Sequence, residues 1–123
     1  MIYTSYFANI KNLPETICVV SIAGKAPDWY DGIQYKKLAP KYWFFKKYKE
    51  DSDEQFYTEA FNREVLGALE VHKVITELEN LASGKDICLL CYEKPCEFCH
   101  RYLVAKWLEE KLNIEVKEYG EFI

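Results

Sequence analysis

No apolar run in the chain approaches the roughly 20 residues that would cross a bilayer. The first twelve residues also lack the basic start and apolar stretch of a secretory signal, so the expected residence is the cytoplasm, with no membrane partner. There is no excess of positive charge. Sixteen Lys and Arg stand against twenty Asp and Glu, a net charge of −4, whereas tight nucleic-acid binding by a whole chain needs a broad positive surface to displace counterions. The dispersed cysteine pairs of a secreted disulfide scaffold are missing too. Five cysteines is an odd number, and Cys88, Cys91, Cys96 and Cys99 fall within twelve residues, so in a reducing compartment they read as thiols or ligands.

What is present is enough for one core. Half of the 123 residues are apolar, 16% are aromatic and 29% charged, a composition too hydrophobic for disorder. A core of this size buries roughly 65 to 70% of the surface of the unfolded chain, which points to a single domain over residues 1–123. Internal repeats and low-complexity tracts are absent.

Residues 2–7 and the β-branched run 17–22 read as strands. The stretch 24–32, GKAPDWYDG, is loop chemistry with a tryptophan embedded in it, and loops of this kind line sites. A short helix is predicted over 38–48, starting near Pro40. A clearer one covers 51–69, capped by Ser52 or Asp53, with Tyr57, Phe61, Val65 and Leu69 as its apolar stripe and a break near Gly67. Residues 70–81 form a third helix, ended by Ser83 and Gly84. The run 87–92, ICLLCY, is apolar at both alternating faces, as in a central strand covered by helices on each side. A helix from Pro95 or Cys96 to about Leu112 and an alternating edge strand over 114–119 complete the chain. The order predicts an α/β, Rossmann-like domain with a mainly parallel sheet of about four strands flanked by helices.

The chemistry concentrates in residues 91–101. In an open parallel sheet, ligands bind at the carboxyl ends of strands, where helix N-termini present free N–H groups. Cys91 sits at such an end, and a helix starting near Pro95 turns Cys96, Cys99, His100 and Leu103 to one side. The helix N-terminus and Arg101 favour a thiolate, and His100 can exchange protons near neutrality. Cys91, Cys99, His100 and Arg101 are therefore the candidate catalytic residues, and Lys25, Asp28 and Trp29 the candidate opposite wall of a substrate pocket. Each has a plainer reading: cysteine is among the most buried residue types, and Cys88 in mid-strand is best read as core.

Cys91, Cys96, Cys99 and His100 also offer four ligands of the kind zinc takes. All four lie within ten residues, however, and adjacent helical residues point about 100° apart, so neither a metal site nor a cofactor is assigned. His72 has no second ligand at a telling spacing and reads as a surface or packing residue. Residues 35–49 hold six lysines interleaved with Tyr35, Tyr42, Trp43, Phe44, Phe45 and Tyr48, the combination that single-stranded nucleic-acid binders use. The competing reading is an amphipathic helix with Phe44, Phe45 and Tyr48 packed and its lysines solvated.

The segment LLCYEKPCEFCHRYLVAKWL, residues 89–108, resembles the signature of the domain of unknown function 488 family, and IYTSYFANI, SIAGKAPDWYDG and KLAP resemble one of its branches. The resemblance implies a compact α/β domain of bacteria, archaea and their phages, and carries over Cys91, Cys99, His100 and Arg101. Two departures stand out: Ser21 and Ala23 replace the Asp and Arg that many members carry after the second strand, and Cys96 occupies a position that is commonly not cysteine. The leading expectation is a small cytoplasmic enzyme acting on a nucleotide, a nucleic-acid base or another anionic metabolite. A nucleic-acid-binding module using residues 35–49 and a zinc-stabilised structural domain are the alternatives; oligomeric state is left open.

Overall fold

The apolar run DICLLC forms strand β4, Asp86–Cys91, buried at every residue after Asp86. That burial follows from its central position: β4 pairs in parallel with β1 (Ile2–Tyr6) on one side and β2 (Ile17–Ser21) on the other. Beyond them lie β5 (Val116–Glu118), parallel to β1, and β3 (Ile33–Gln34), parallel to β2, giving the sheet order β3-β2-β4-β1-β5. This is a computed structural model and describes residues 1–95 and 97–119. Its mostly parallel sheet and flanking helices are those of a Rossmann-like α/β domain, as expected, with five strands where about four were predicted. The addition is β3, whose two residues are too few to show a period.

Helices α1 (Tyr42–Asp51), α2 (Glu54–Glu64), α3 (Val71–Ala82) and α4 (His100–Leu112) contribute to one core. They pack on Val20, Ile22, Ile87 and Leu89 of the sheet region, with Phe44, Phe61, Leu78, Val104 and Leu108 fully buried. Cys88 and Leu90 point to the opposite face, as alternation along β4 requires. That face is covered by a 3-10 helix, Phe7–Asn12, and by the aromatic loop through Tyr30 instead of the α-helices expected on both sides. No helix among the described residues is long and apolar enough to cross a membrane.

The helical region divides differently from the expectation of helices over 38–48 and 51–69. Ser52 adopts a left-handed backbone (φ 53°) that ends α1, and Asp53 then starts α2 by accepting a hydrogen bond from the Phe56 N–H. Helix α2 stops at Glu64, and a 3-10 turn, Leu66–Ala68, makes the break that Gly67 suggested. Tyr57, Phe61 and Val65 are buried as their spacing required. After α3, Ser83 and Gly84 both take positive φ, and Gly84 at 86° is a turn that a side chain would strain.

The correction that matters most is at the start of α4. It begins at His100, because Lys94–Glu97 closes a turn of its own: Glu97 N–H donates to the Lys94 carbonyl and its carboxylate accepts from Lys94 N–H. Phe98 is then held in an aromatic cluster, 5.2 Å from both the Tyr48 and Tyr57 rings, which draws the chain away from helical geometry. Cys96, expected on this helix, lies outside the described residues.

Leu89→Ala opens a cavity in the central strand and is expected to cost about 2–5 kcal/mol, whereas Asp53→Ala removes one cap and costs about 1 kcal/mol. Urea unfolding midpoints of the two variants measure the difference.

Candidate functional site

Cys91 is the last residue of β4, at its carboxyl end, and alternation turns it to the face on which α4 packs. Cys99 is the N-cap of α4, with extended backbone (φ −154°, ψ 143°), and His100 and Arg101 are its first two helical residues. The strand end and the helix start thus bring four side chains together, all buried, with Arg101 wholly inaccessible. Cys91 and Cys99 are paired as a disulfide.

His100 is fixed by a contact across the sheet. Its Nε2 lies 2.7 Å from the Ile22 carbonyl oxygen, which can only accept, so Nε2 carries the proton. The neutral ring then has its lone pair on Nδ1, 4.0 Å from Cys99 Sγ, with the Phe61 ring 5.5 Å away. Burial pushes the His100 pKa down to about 4; the Ile22 carbonyl opposes the shift and the Arg101 charge adds to it. Cys91 Sγ, Cys99 Sγ and a ring nitrogen of His100 all lie within 4.8 Å of one another, a three-atom group able to hold a metal ion. The objection that adjacent Cys99 and His100 must diverge by a helical step does not apply, because Cys99 is extended.

Arg101 has a partner that the sequence reading missed. Its Nε and Nη2 donate to the two carboxylate oxygens of Glu118 at 3.1 and 2.9 Å, and the carboxylate accepts again from the Thr4 hydroxyl at 2.6 Å. Nη1 points to Cys91 Sγ at 3.5 Å, and Nη2 also reaches the Tyr102 oxygen at 3.0 Å. The missed signal lay in the alternation of 114–119: Glu118 shares a face with buried Val116, and an acid facing inward needs a cation.

Lys25, Asp28 and Trp29 lie on the exposed loop at the same edge of the sheet. This loop meets the site through Tyr92, whose hydroxyl donates to the Lys25 carbonyl at 2.5 Å. The Trp29 indole packs edge-on to Phe7, which also packs on Tyr92 and belongs to the Cys88 and Leu90 face of the sheet. In the lysine-rich stretch, Phe44 is buried and Tyr48 packs on Tyr57, while Phe45, expected to pack, is exposed. Lys37 pairs with Glu77 and Lys47 with Asp51. His72 is exposed beside Glu70, on the surface as expected.

Fold and site together define a Rossmann-like α/β protein with a buried Cys/His/Arg cluster at the carboxyl edge of its sheet. A family model, described as the active DUF488-N3 subclade, matches residues 13–112, and the chain belongs to the DUF488 family. No curated protein and no solved structure matches it.

Removing one member of the buried ion pair strands the other. Glu118→Ala is expected to destabilise by roughly 3–5 kcal/mol, and Arg101→Met in the same chain to recover much of that loss, as a double-mutant cycle in urea would measure. His100 gives a second expectation, for the disulfide form. Between its ordinary value of 6.5 and about 4, the unfolded ring binds a proton that the folded ring does not. Stability should therefore fall as pH drops through that window, by on the order of 3 kcal/mol, and His100→Gln should lose correspondingly less between pH 7 and 4.

Proposed function

We propose that the protein is a small cytoplasmic enzyme acting on a nucleotide, a nucleic-acid base or another anionic metabolite through Cys91, Cys99, His100 and Arg101. The observation that carries this reading is the convergence of two sulfurs, a neutral imidazole and a guanidinium at the carboxyl end of a central parallel strand. In the reduced protein Cys91, facing Arg101 Nη1, is the nucleophile. His100 Nδ1 faces Cys99 Sγ, its ring held by the Ile22 carbonyl, and with a pKa of about 4 it serves as a hydrogen-bond acceptor that orients this thiol. Exposed Lys25 and Trp29, with Asp28, form the rim where an anionic, planar ligand would be met. The description of the matched subclade as active agrees with this reading.

A screen of nucleotides, nucleobases and phosphorylated metabolites with reduced protein is the test. Turnover or binding should depend on reductant and fall at least about 100-fold in Cys91→Ser, with losses in Cys99→Ser and His100→Ala. If all three variants behave like the parent, the reading is abandoned.

A second reading has its own observation. Tyr42, Trp43 and Phe45 are exposed on α1 beside exposed Lys41, Lys46 and Lys49, a surface suited to stacking bases and meeting phosphates. It predicts salt-sensitive binding of single-stranded oligonucleotides that weakens when Lys41, Lys46 and Lys49 are changed together to Gln. Absence of binding at low salt removes it.

A further inference from the structure

The donor set at the end of β4, two sulfurs and an imidazole nitrogen, is that of zinc and related borderline divalent ions. Three independent features of its surroundings suit a cation. The Ile22 carbonyl fixes the His100 proton on Nε2, which leaves Nδ1 as a lone pair facing Cys99 Sγ, the sulfur bonded to Cys91; metal-binding histidines are oriented by the same kind of partner. Arg101 Nη1 lies against Cys91 Sγ, where it would act as an outer hydrogen-bond donor to a thiolate. Charge also balances: two thiolates neutralise a divalent ion, and Glu118 neutralises Arg101, so the loaded site carries no net buried charge.

We propose that the reduced protein binds one zinc ion through Cys91 Sγ, Cys99 Sγ and His100 Nδ1, and that the Cys91–Cys99 disulfide is the metal-free, oxidised form of that site. The remaining position is filled from outside these three side chains, by water or by a substrate atom. This deepens the enzyme reading and rests on the same cluster being the functional centre. Because the ligands come from a strand end and from the N-cap and first turn of a helix, the ion joins two elements, as structural and catalytic zinc sites both do. Two thiolates about 2.3 Å from one tetrahedral ion stand roughly 3.8 Å apart, so the disulfide must open first. A dithiol reductant supplies two electrons and two protons: the Cys91–Cys99 bond breaks to two thiols while the reductant closes to its own disulfide. Zinc binding then releases both thiol protons to solvent.

The test is metal content and spectroscopy on the full chain, handled anaerobically. Protein stripped with chelator, reduced, given zinc and dialysed should retain about one equivalent by elemental analysis, and the oxidised form less than about a tenth. Cobalt in place of zinc should give the visible bands of a tetrahedral ion and a near-ultraviolet thiolate-to-cobalt band, a readout in the unmutated chain should Cys91→Ser or Cys99→Ser fail to fold. Each of those two variants should lower affinity at least about 100-fold and His100→Ala about 10-fold or more, while Cys18→Ser, remote from the cluster, keeps the full equivalent. Reduced parent protein that retains less than about a tenth of an equivalent overturns the proposal, as does occupancy indifferent to both cysteine variants. Thiol-dependent turnover in protein that takes up no zinc would sink the metal site and leave the enzyme reading intact. Zinc uptake as described, with no turnover or ligand binding in the metabolite screen, would support the site and remove the enzyme reading.

Discussion

The buried pair of Arg101 and Glu118 is the contact on which the carboxyl edge of this sheet depends. Arg101 is wholly inaccessible and the Glu118 side chain nearly so, and either charge left alone in that position would cost several kcal/mol. The pair is tolerated because its hydrogen bonds are complete: both carboxylate oxygens accept from the guanidinium, and one also accepts from Thr4. Among the described residues no buried side-chain nitrogen or oxygen lacks a partner. Such a pair, with one partner removed, leaves an uncompensated buried charge, so its two members must meet. It requires β5 to dock beside β1 with Glu118 opposite Thr4, and it requires α4 to enter the core with Arg101 facing the sheet.

Once Arg101 is fixed, its neighbours in sequence have little freedom. His100 is carried beneath Ile22, where a backbone carbonyl at the end of β2 chooses its tautomer, and burial keeps the ring neutral at physiological pH. Cys99, held extended between the Phe98 aromatic anchor and the first turn of α4, brings its sulfur to Cys91. Electrostatics differ across the cluster: Cys91 sulfur faces a cation, whereas Cys99 sulfur faces an imidazole lone pair. The two sulfurs therefore have different neighbours, a hydrogen-bond donor beside one and an acceptor beside the other. On the exposed loop, Lys25 connects to the end of β4 through Tyr92, and Trp29 through Phe7.

Much of this was legible from residue order alone. The doubly apolar run of β4, the Tyr57, Phe61 and Val65 stripe, the Asp53 cap and the stop at Ser83 and Gly84 are local patterns, set by alternation, helical spacing and backbone preference within a few residues. The same patterns, with the family signature, singled out Cys91, Cys99, His100 and Arg101, which the fold brings together. They could not show that Glu118, seventeen residues beyond Arg101, would hold its charge, or that Ile22, seventy-eight residues before His100, would orient its ring. Nor could they show that α4 starts at His100, since the turn at Lys94 and the packing of Phe98 compete with a helical continuation that the spacing favours. The sequence by itself therefore determined the class of fold and which side chains gather at the end of the central strand. The tertiary structure decided which atoms of those side chains face one another, because buried charges and ring nitrogens take their partners from wherever the folded chain brings a compensating group.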